Sequence, residues 1–428
     1  MNHASRLLAS TVALLFPVLA AAAEKPAPSP EEQKIIAYVD AHAGGFAADL
    51  STLVQIDSAT ENLAGVKKVG DYFVREFSAL GFDARFAPLP ESTKRAGHFI
   101  ATRTGPQGKR VLLIGHLDTV LPGGNYRQEG DIARGSGTQD MKGGDLVMLY
   151  ALRALQATGA LEGTTLNVIM TGDEEAPGDP IEVTRRDLRE AAARSDVALA
   201  FENAIGTTAT VARRGIVSWN LEVQGATGHS SGIFSAAAGS GSVYEAARIL
   251  TAFHDQLRAM DGITCNPALI TGGTDVTLEG TKGTTFGKTN IIAQRTLVKG
   301  DLRYLSAEQL ADAKARMQAI VAKHLPRTSA TLVFERDTYP AMAPSPANYA
   351  LLAQLDQVSH DLGFGDVKAF DPKARGAGDV SFVSPPLPAL DGLGLRGEGA
   401  HAPGEFGDLS SAPELVKRTA LLIYRLTR

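Results

Sequence analysis

The sequence predicts an α/β fold, with a mostly parallel sheet covered by helices and a smaller α+β domain inserted into it. Two observations support this prediction. Before about residue 213, short apolar runs alternate with amphipathic stretches, which is the pattern of parallel strands joined by helices. After that point, apolar and polar residues alternate along the strand-like segments, as in antiparallel strands with one exposed face.

The N-terminus predicts an export signal at residues 1–23. One cation, Arg6, precedes an apolar stretch from Leu7 to Leu19, and small residues end at Ala23. The stretch is shorter than a typical membrane-spanning helix, and small residues are typical of a signal peptidase cleavage site. We therefore expect an exported protein, periplasmic or secreted, that has no membrane attachment after cleavage.

Composition restricts the function classes of the mature chain. The full chain of 428 residues carries a formal net charge of -5, and removing the signal takes away one Arg and no acid. This mild acidity gives no basic surface for nucleic acid. The single cysteine, Cys265, cannot form an intramolecular disulfide.

Three buried strands are predicted in the first part of the chain. They are the apolar runs RVLLIG, TLNVIMT and DVALAF, and the helical stretch GGDLVMLYALRALQATG lies between the first two. In a parallel sheet the carboxyl ends of such strands meet at one edge, where ligands bind. The residues that follow each run are therefore the first candidates for a functional site.

The inserted domain is predicted over residues 213–340. Its strand-like segments are IVSWNLEVQG, IIAQRTLVKGDLRY and SATLVFERD, and its helical segments are YEAARILTAFHDQLRAM and AEQLADAKARMQAIVAKHL. Strands and helices in this order favour a small α+β layer. We expect residues 24–212 and 341–428 to form the larger, catalytic domain on either side of it.

Polar side chains follow all three predicted strands. His116 and Asp118 come after the first, Glu174 and Glu175 after the second, and Glu202 after the third. A carboxylate two residues from a histidine can accept the ring N–H and fix its tautomer, an arrangement common around zinc. The strand ends therefore supply both nitrogen and oxygen ligands.

Two glycine-rich segments supply further candidates. RGSGTQDMKGG places Asp140 just before a helix, and GAHAPGE presents His401 near the C-terminus. Two histidines and at least three carboxylates are what a two-metal site of mixed ligands requires. One member of the pair Glu174 and Glu175 can then bind metal while the other acts as base on a water.

Five motifs resemble the dizinc exopeptidases that include bacterial glutamate carboxypeptidase, aminoacylase and succinyl-diaminopimelate desuccinylase. In chain order they are HLDTV, RGSGTQDMKGG, GDEEAPG, FENA and GAHAPGE. The likeness covers nearly the whole mature chain and is nearest to glutamate carboxypeptidase. It implies a metallopeptidase with two Zn2+ ions per subunit, or Co2+ or Mn2+ in their place.

The resemblance also implies a role for each candidate in the larger domain. The expected ligands are His116, Asp140 and Glu202 for one ion and Glu175, Asp140 and His401 for the other, with Asp140 shared. Asp118 orients His116, and Glu174 is the general base. A cis peptide is expected between Asp140 and Met141.

In the inserted domain the resemblance implies a lid that also forms a homodimer. His229, in GATGHSSG, is expected to reach the scissile carbonyl of the partner subunit. Asn290 and Arg303 are expected to hold the substrate carboxylate, and a guanidinium is suited to bidentate hydrogen bonding with such a group. Gly376 belongs to a glycine-rich segment expected near the pocket.

The implied activity is hydrolysis of an amide bond next to a free carboxylate, in a small peptide or an N-acyl amino acid. Release of C-terminal glutamate from peptides or folate-like N-acyl-glutamates is the first expectation. A general dipeptidase or an N-acyl-amino-acid hydrolase (aminoacylase) would use the same residues.

Two other classes remain open. GHSSG satisfies the G-x-S-x-G pattern, so a serine hydrolase using Ser230 is one alternative, although the motif lies apart from the parallel strands. A binding protein that has lost its metals is the other, although all five ligand positions and the base are filled.

Overall fold

The computed structural model of the protein describes residues 28–335 and 339–428, and the predicted export signal lies outside them. The α-helices of the described residues are α1 Pro30–His42, α2 Phe46–Val54, α3 Leu63–Ala79, α4 Lys142–Ala157, α5 Ile181–Thr184, α6 Arg186–Ala193, α7 Gly241–Leu257, α8 Ala307–Val321, α9 Pro346–Asp361 and α10 Ala412–Leu426. The strands are β1 Asp83–Pro88, β2 Gly97–Arg103, β3 Gln107–His116, β4 Arg127–Glu129, β5 Ile132–Arg134, β6 Thr164–Thr171, β7 Val197–Ala200, β8 Thr208–Ala209, β9 Gly215–Gly225, β10 Thr264–Gly273, β11 Asp275–Glu279, β12 Lys282–Phe286, β13 Arg295–Tyr304, β14 Thr328–Phe334, β15 Lys368–Ala369, β16 Ala389–Leu390, β17 Gly397–Glu398 and β18 Phe406–Asp408.

A six-stranded sheet lies at the centre of the larger domain, in the order β1, β2, β6, β3, β7, β16. The neighbours β6, β3, β7 and β16 pair in parallel, and they include the three predicted strands. β1 and β2 add antiparallel pairings at one edge, where a short connection suffices because no crossover is needed. The α/β fold is therefore confirmed, with a sheet that is mixed.

Helices cover both faces of this sheet. Along β3, Val111 and Leu113 join the core cluster that contains side chains of α4 and α10. Leu112 and Ile114 point the other way and join a second cluster with α6. Because side chains of a strand alternate between its two faces, an unbroken apolar run is what a sheet buried on both sides requires.

The inserted domain has its own sheet and its own core. Its four strands pair antiparallel in the order β10, β13, β9, β14, and α7 and α8 contribute to a core cluster with them. Trp219 is fully buried in this cluster and packs edge-to-face on Phe253, with ring centroids 5.8 Å apart. A separate hairpin, β11 and β12, was not predicted.

The two domains are joined by two chain segments that pair with each other. Arg213 and Met342 exchange two backbone hydrogen bonds, and the N–H of Ile216 donates to the carbonyl of Tyr339. We call the paired segments 213–216 and 339–342 the connecting ribbon. Among the helices of the described residues, none is long and apolar enough to cross a membrane.

Candidate metal centre

The ends of three neighbouring strands define the site. β3 ends at His116, which is level with Thr171 at the end of β6, and Ile114 is level with Ala200 at the end of β7. The polar residues that follow these strands therefore emerge at one edge of the sheet, as the sequence predicted. Asp140 reaches the same edge from the loop before α4, and the peptide bond that follows it is cis, as expected.

Asp140 contacts both histidines of the site. His116 Nε2 lies 3.3 Å from Asp140 Oδ1, and His401 Nε2 lies 3.2 Å from Asp140 Oδ2. His401 Nε2 is also 3.1 Å from Glu175 Oε2, and His116 Nε2 is 3.9 Å from Glu202 Oε1. The structure thus brings all five predicted ligands together around Asp140.

The donor atoms suit a pair of cations. Two sets of donor atoms each lie within 4.8 Å of one another, His116 with Asp140 and Glu175, and His116 with Glu174 and Glu202. Glu175 Oε1 is buried and has no hydrogen-bond partner among the described residues. A buried carboxylate oxygen is costly unless something pairs with it, and imidazole nitrogen with carboxylate oxygen is the donor set of zinc and related ions.

The carboxylates of the cluster favour the protonated forms of both histidines. Hydrogen bonds to Asp140 and Glu175 raise the pKa of His401 to about 11. Burial would lower the pKa of His116, but hydrogen bonds to Asp118 and Asp140 hold it well above its usual value. Metal binding at such a cluster has to displace these protons.

Glu174 lies in the same negative field. Burial raises the pKa of its carboxyl well above the usual value, and the charge of Glu202 adds to the effect. Burial likewise raises the pKa of Glu202, to about 7. A raised pKa makes a carboxylate a better proton acceptor, which is what a general base requires.

Asp118 supports the site through two different groups. Its backbone carbonyl lies 3.0 Å from His116 Nδ1, closer than its carboxylate at 3.5 Å. The carboxylate accepts the N–H groups of Glu174 and Glu175, both at 3.1 Å, and the hydroxyl of Thr60 at 2.7 Å. Asp118 therefore contacts the His116 ring chiefly through its carbonyl and fixes the glutamate pair through its carboxylate.

His229 and Asn290 lie side by side on the inserted domain. A bridge pairs His229 with Ile291, and the N–H of Ser230 donates to the carbonyl of Asn290 at 2.9 Å. Both residues are exposed, and His229 Nδ1 lies 2.8 Å from the hydroxyl of Ser231. The contacts described for these two residues are with the inserted domain, not with the metal cluster of the same subunit.

Arg303 and Gly376 lie in different places. Arg303 is half-buried on β13 and pairs with Asp301 at 3.1 Å. Gly376 is in the larger domain, where its carbonyl accepts from Arg213 Nε at 2.7 Å, and Arg213 Nη1 lies 3.6 Å from Glu202 Oε1. Arg213 thus links the Gly376 segment to Glu202, and the roles of Gly376 and Arg303 stay predictions.

The sequence did not single out the residues that hold the ligands in place. Glu405, which ends the motif GAHAPGE, is buried and its carboxylate accepts the backbone N–H groups of Gly137, Gln139 and Asp140, at 2.9 to 3.1 Å. The one sequence signal for Glu405 was its position as an acidic residue at the end of a glycine-rich motif. Arg213 carried no such signal, because the residues it contacts are far away in the sequence.

Known proteins are similar to this chain in sequence and in fold. Residues 112–425 match the family model for peptidase family M20/M25/M40. Carboxypeptidase G2 from Pseudomonas sp. (strain RS-16) is 26% identical over 393 residues, 88% of each chain. A tripeptidase from Staphylococcus aureus subsp. aureus Mu50 has a similar structure, with a TM-score of 0.68 and 18% identity over 90% of this chain and 99% of that one.

A dinuclear metal binding peptidase of the M20 family, from Bacillus subtilis, also has a similar structure. Its TM-score is 0.62, at 14% identity over 91% of this chain and 99% of that one. These two structural likenesses concern the fold alone. The family match covers well over half of the sequence, and every residue of the metal cluster lies within it. The protein therefore belongs to peptidase family M20/M25/M40.

Proposed function

We propose that this hydrolase of peptide or amide bonds is a dizinc carboxypeptidase that releases C-terminal glutamate from peptides or folate-like N-acyl-glutamates. The observation that carries the proposal is the cluster around Asp140, in which two histidines and three carboxylates converge beside Glu174. The likeness to carboxypeptidase G2 along most of both chains supports the carboxypeptidase assignment.

We assign the five candidate ligands to two sets that share Asp140. His116, Asp140 and Glu202 would hold one ion, and Asp140, Glu175 and His401 would hold the other. When bound, the ions supply Lewis acidity that lowers the pKa of a coordinated water and polarises the scissile carbonyl. The unpartnered Oε1 of Glu175 is the structural observation that fits a cation at this place.

The chain's own residues complete the reaction. Glu174 takes the proton of the attacking water and returns it to the leaving amine nitrogen. His229 of a second subunit donates a hydrogen bond to the carbonyl oxygen as negative charge develops there. Asn290 and Arg303 bind the free α-carboxylate of the substrate, which sets the scissile bond beside the base.

The test is amine release from a matched panel of N-benzoyl amino acids, each with and without a chelator. Chelator-sensitive release that favours glutamate supports the proposal. Release that favours apolar residues would keep the mechanism and make the protein an aminoacylase or dipeptidase. No release from any substrate would contradict a hydrolytic role for the cluster and favour the binding protein instead.

Substitution of Glu174 tests the base assignment directly. We expect Glu174→Ala to retain two ions per subunit but to lose most of its turnover, by about 100-fold or more. Elemental analysis and kcat on the best substrate of the panel measure the two quantities. Glu129→Ala, at an exposed position of β4, is the matched control and should keep full kcat, whereas full activity in Glu174→Ala would disprove the base assignment.

The alternative that uses Ser230 finds little support. Ser230 begins a short 3-10 turn, Ser230–Gly232, in the inserted domain. A nucleophile elbow requires a strand, a sharp turn and a helix at the edge of a parallel sheet. Serine-directed reagents should therefore leave the activity intact.

We infer that the inserted domain forms a homodimer. β10 is an edge strand of the four-stranded sheet, and an unpaired edge can be continued by a second copy. Four apolar side chains near this edge are between 48% and 68% exposed, and they are Phe234, Val243, Tyr244 and Ile270. Exposed apolar patches of this kind mark interaction surfaces, and His229 is exposed on the same domain.

We also propose that the mature protein is exported, to the periplasm or the medium. The support is the N-terminal pattern of one cation, an apolar stretch and small residues. Sequencing the N-terminus of the protein from the cell envelope and the medium would show whether the chain begins near Glu24.

A further inference from the structure

The connecting ribbon carries two buried side chains that contact the segments presenting the carboxylates of the site. Arg213, on one segment, forms an ion pair with Asp391, whose carboxylate accepts the N–H of Glu202 at 3.3 Å. Tyr339, on the other segment, hydrogen-bonds to the backbone of Glu174. Both segments of the connecting ribbon are thus bonded to the loops that present Glu202 and Glu174.

The contact of Tyr339 with Glu174 is direct and short. The hydroxyl of Tyr339 donates to the carbonyl oxygen of Glu174 at 2.6 Å. Tyr339 is buried, and its ring packs against Phe382 with centroids 5.1 Å apart. Burial, together with the charge of Glu174, raises the pKa of Tyr339 well above its usual value, so the hydroxyl keeps its proton.

Arg185 determines the acceptor to which the Tyr339 hydroxyl donates. Arg185 Nη2 donates to the oxygen of Tyr339 at 3.0 Å, which leaves the single hydroxyl proton for the carbonyl of Glu174. The guanidinium itself is fully buried between Asp173 Oδ1, at 2.6 Å, and Asp379 Oδ1, at 2.7 Å. The donor therefore has one orientation.

Hydrogen bonds hold the peptide units on both sides of Glu174. Its N–H donates to Asp118 Oδ1 at 3.1 Å, and its carbonyl accepts from Tyr339. Catalytic groups have to be held within about 0.5 Å of their working geometry, which requires support from surrounding hydrogen bonds. The side chain of a base on a flexible loop is placed only as well as its backbone.

We propose that Tyr339 is a positioning residue for Glu174, whose hydroxyl fixes the backbone of the base and links it to the connecting ribbon. The proposal rests on the proposed function of Glu174 as the base. It assigns to the ribbon a part in catalysis, because the backbone carbonyl of the same Tyr339 accepts from Ile216 of the inserted domain.

Tyr339→Phe tests this role, because it removes the hydroxyl and keeps the ring. We expect kcat to fall by about tenfold with KM changed less than about twofold, since the base is misplaced while the substrate still binds. Elemental analysis should still find two ions per subunit. Tyr150→Phe is the matched control: it removes a hydroxyl that donates to Asp49 at 2.9 Å, and it should lower the melting temperature comparably while leaving kcat unchanged.

A double variant separates this proposal from the proposed function. In the Glu174→Ala background, Tyr339→Phe should cause no further loss, because the group it positions is gone. An equal loss in both backgrounds, or full kcat in Tyr339→Phe alone, would overturn the positioning role. Full activity in Glu174→Ala would instead overturn the base assignment itself.

Discussion

Asp145 is a buried carboxyl group near the metal cluster that lacks hydrogen-bond partners. It lies in the first turn of α4, fully buried, and neither carboxylate oxygen has a hydrogen-bond partner among the described residues. Space is tight there, since a Cβ at Gly115 would come within 2.0 Å of Asp145 Oδ1. Burial raises the pKa of Asp145 well above its usual value, and the charge of Glu202 adds to this.

The raised pKa of Asp145 predicts a pH-dependent loss of stability. Above the pKa of an unfolded aspartate, the folded protein holds one more proton at this site than the unfolded chain, so stability falls as pH rises toward the folded pKa. Asp145→Asn removes this dependence, so its melting temperature should exceed that of wild type by more at pH 8 than at pH 5. The difference in unfolding free energy between Asp145→Asn and wild type can change by at most about 1.4 kcal/mol per pH unit.

The comparison uses chelator-treated protein, because a bound cation would alter the field at Asp145. Asp131→Asn, at an exposed turn, removes the same charge without burial and serves as the control. A difference between Asp145→Asn and wild type that stays constant from pH 5 to pH 8 would show that Asp145 keeps an ordinary pKa in the fold.

The cluster of candidate ligands could be predicted from the sequence, and the residues that support it could not. Three of the five candidate ligands follow apolar runs, and parallel strands bring such positions together whatever the details of packing. Asp140 and His401 lie in glycine-rich segments, and their roles came from the family resemblance. The support of the base depends on contacts such as that between Arg185 and Asp379, which are 194 residues apart in the chain. No local pattern marks a pair of this kind.

At the scale of single elements, one carboxylate ties two of the metal-binding loops together. The loop before α4 carries Asp140, and three of its backbone N–H groups donate to Glu405. Glu405 belongs to the loop that carries His401, which has a left-handed φ of 62°. That conformation costs a residue with a side chain about 1 kcal/mol or more, so the loop depends on contacts such as this one.

Glu405→Gln should therefore weaken metal binding. An amide can present only one oxygen to the three N–H groups, and its own NH2 would face a donor. We expect metal affinity to fall by about 10- to 100-fold, as is usual for residues that support metal ligands, with turnover largely restored at saturating Zn2+. Competition with a chromophoric chelator measures the affinity.

The control for this change is Glu398→Gln, an exposed glutamate on β17. It alters the same charge on the same loop without touching the loop of Asp140, and its metal affinity should equal that of wild type. Wild-type affinity in Glu405→Gln would mean that the two loops keep their geometry without the carboxylate.

The three strands predicted in the larger domain are those with unbroken apolar runs. The runs that predicted β3, β6 and β7 are apolar because both faces of these strands are covered. β1, β2 and β10 were missed: β1 and β10 are largely exposed or half-buried, whereas β2 is mostly buried.

At the scale of the whole molecule, the proposed machinery is divided between two domains. The metal cluster and Glu174 belong to the larger domain, and His229 is exposed on the inserted one. The contacts described for His229 are with residues of its own domain. If His229 acts from the partner subunit, each active site of a homodimer is built from both chains.

Mixing two inactive variants tests this arrangement. Glu174→Ala and His229→Ala should each be inactive as pure dimers, but a mixed dimer restores one site that has both its own Glu174 and the partner's His229. After subunit exchange at equal amounts, half of the dimers are mixed and one site in each is complete, so activity should return to about a quarter of wild type. A parallel mixture of Glu174→Ala with Glu174→Ala/His229→Ala should stay inactive. If the mixture of single variants also stays inactive although exchange is confirmed by size and mass, His229 does not act across the dimer.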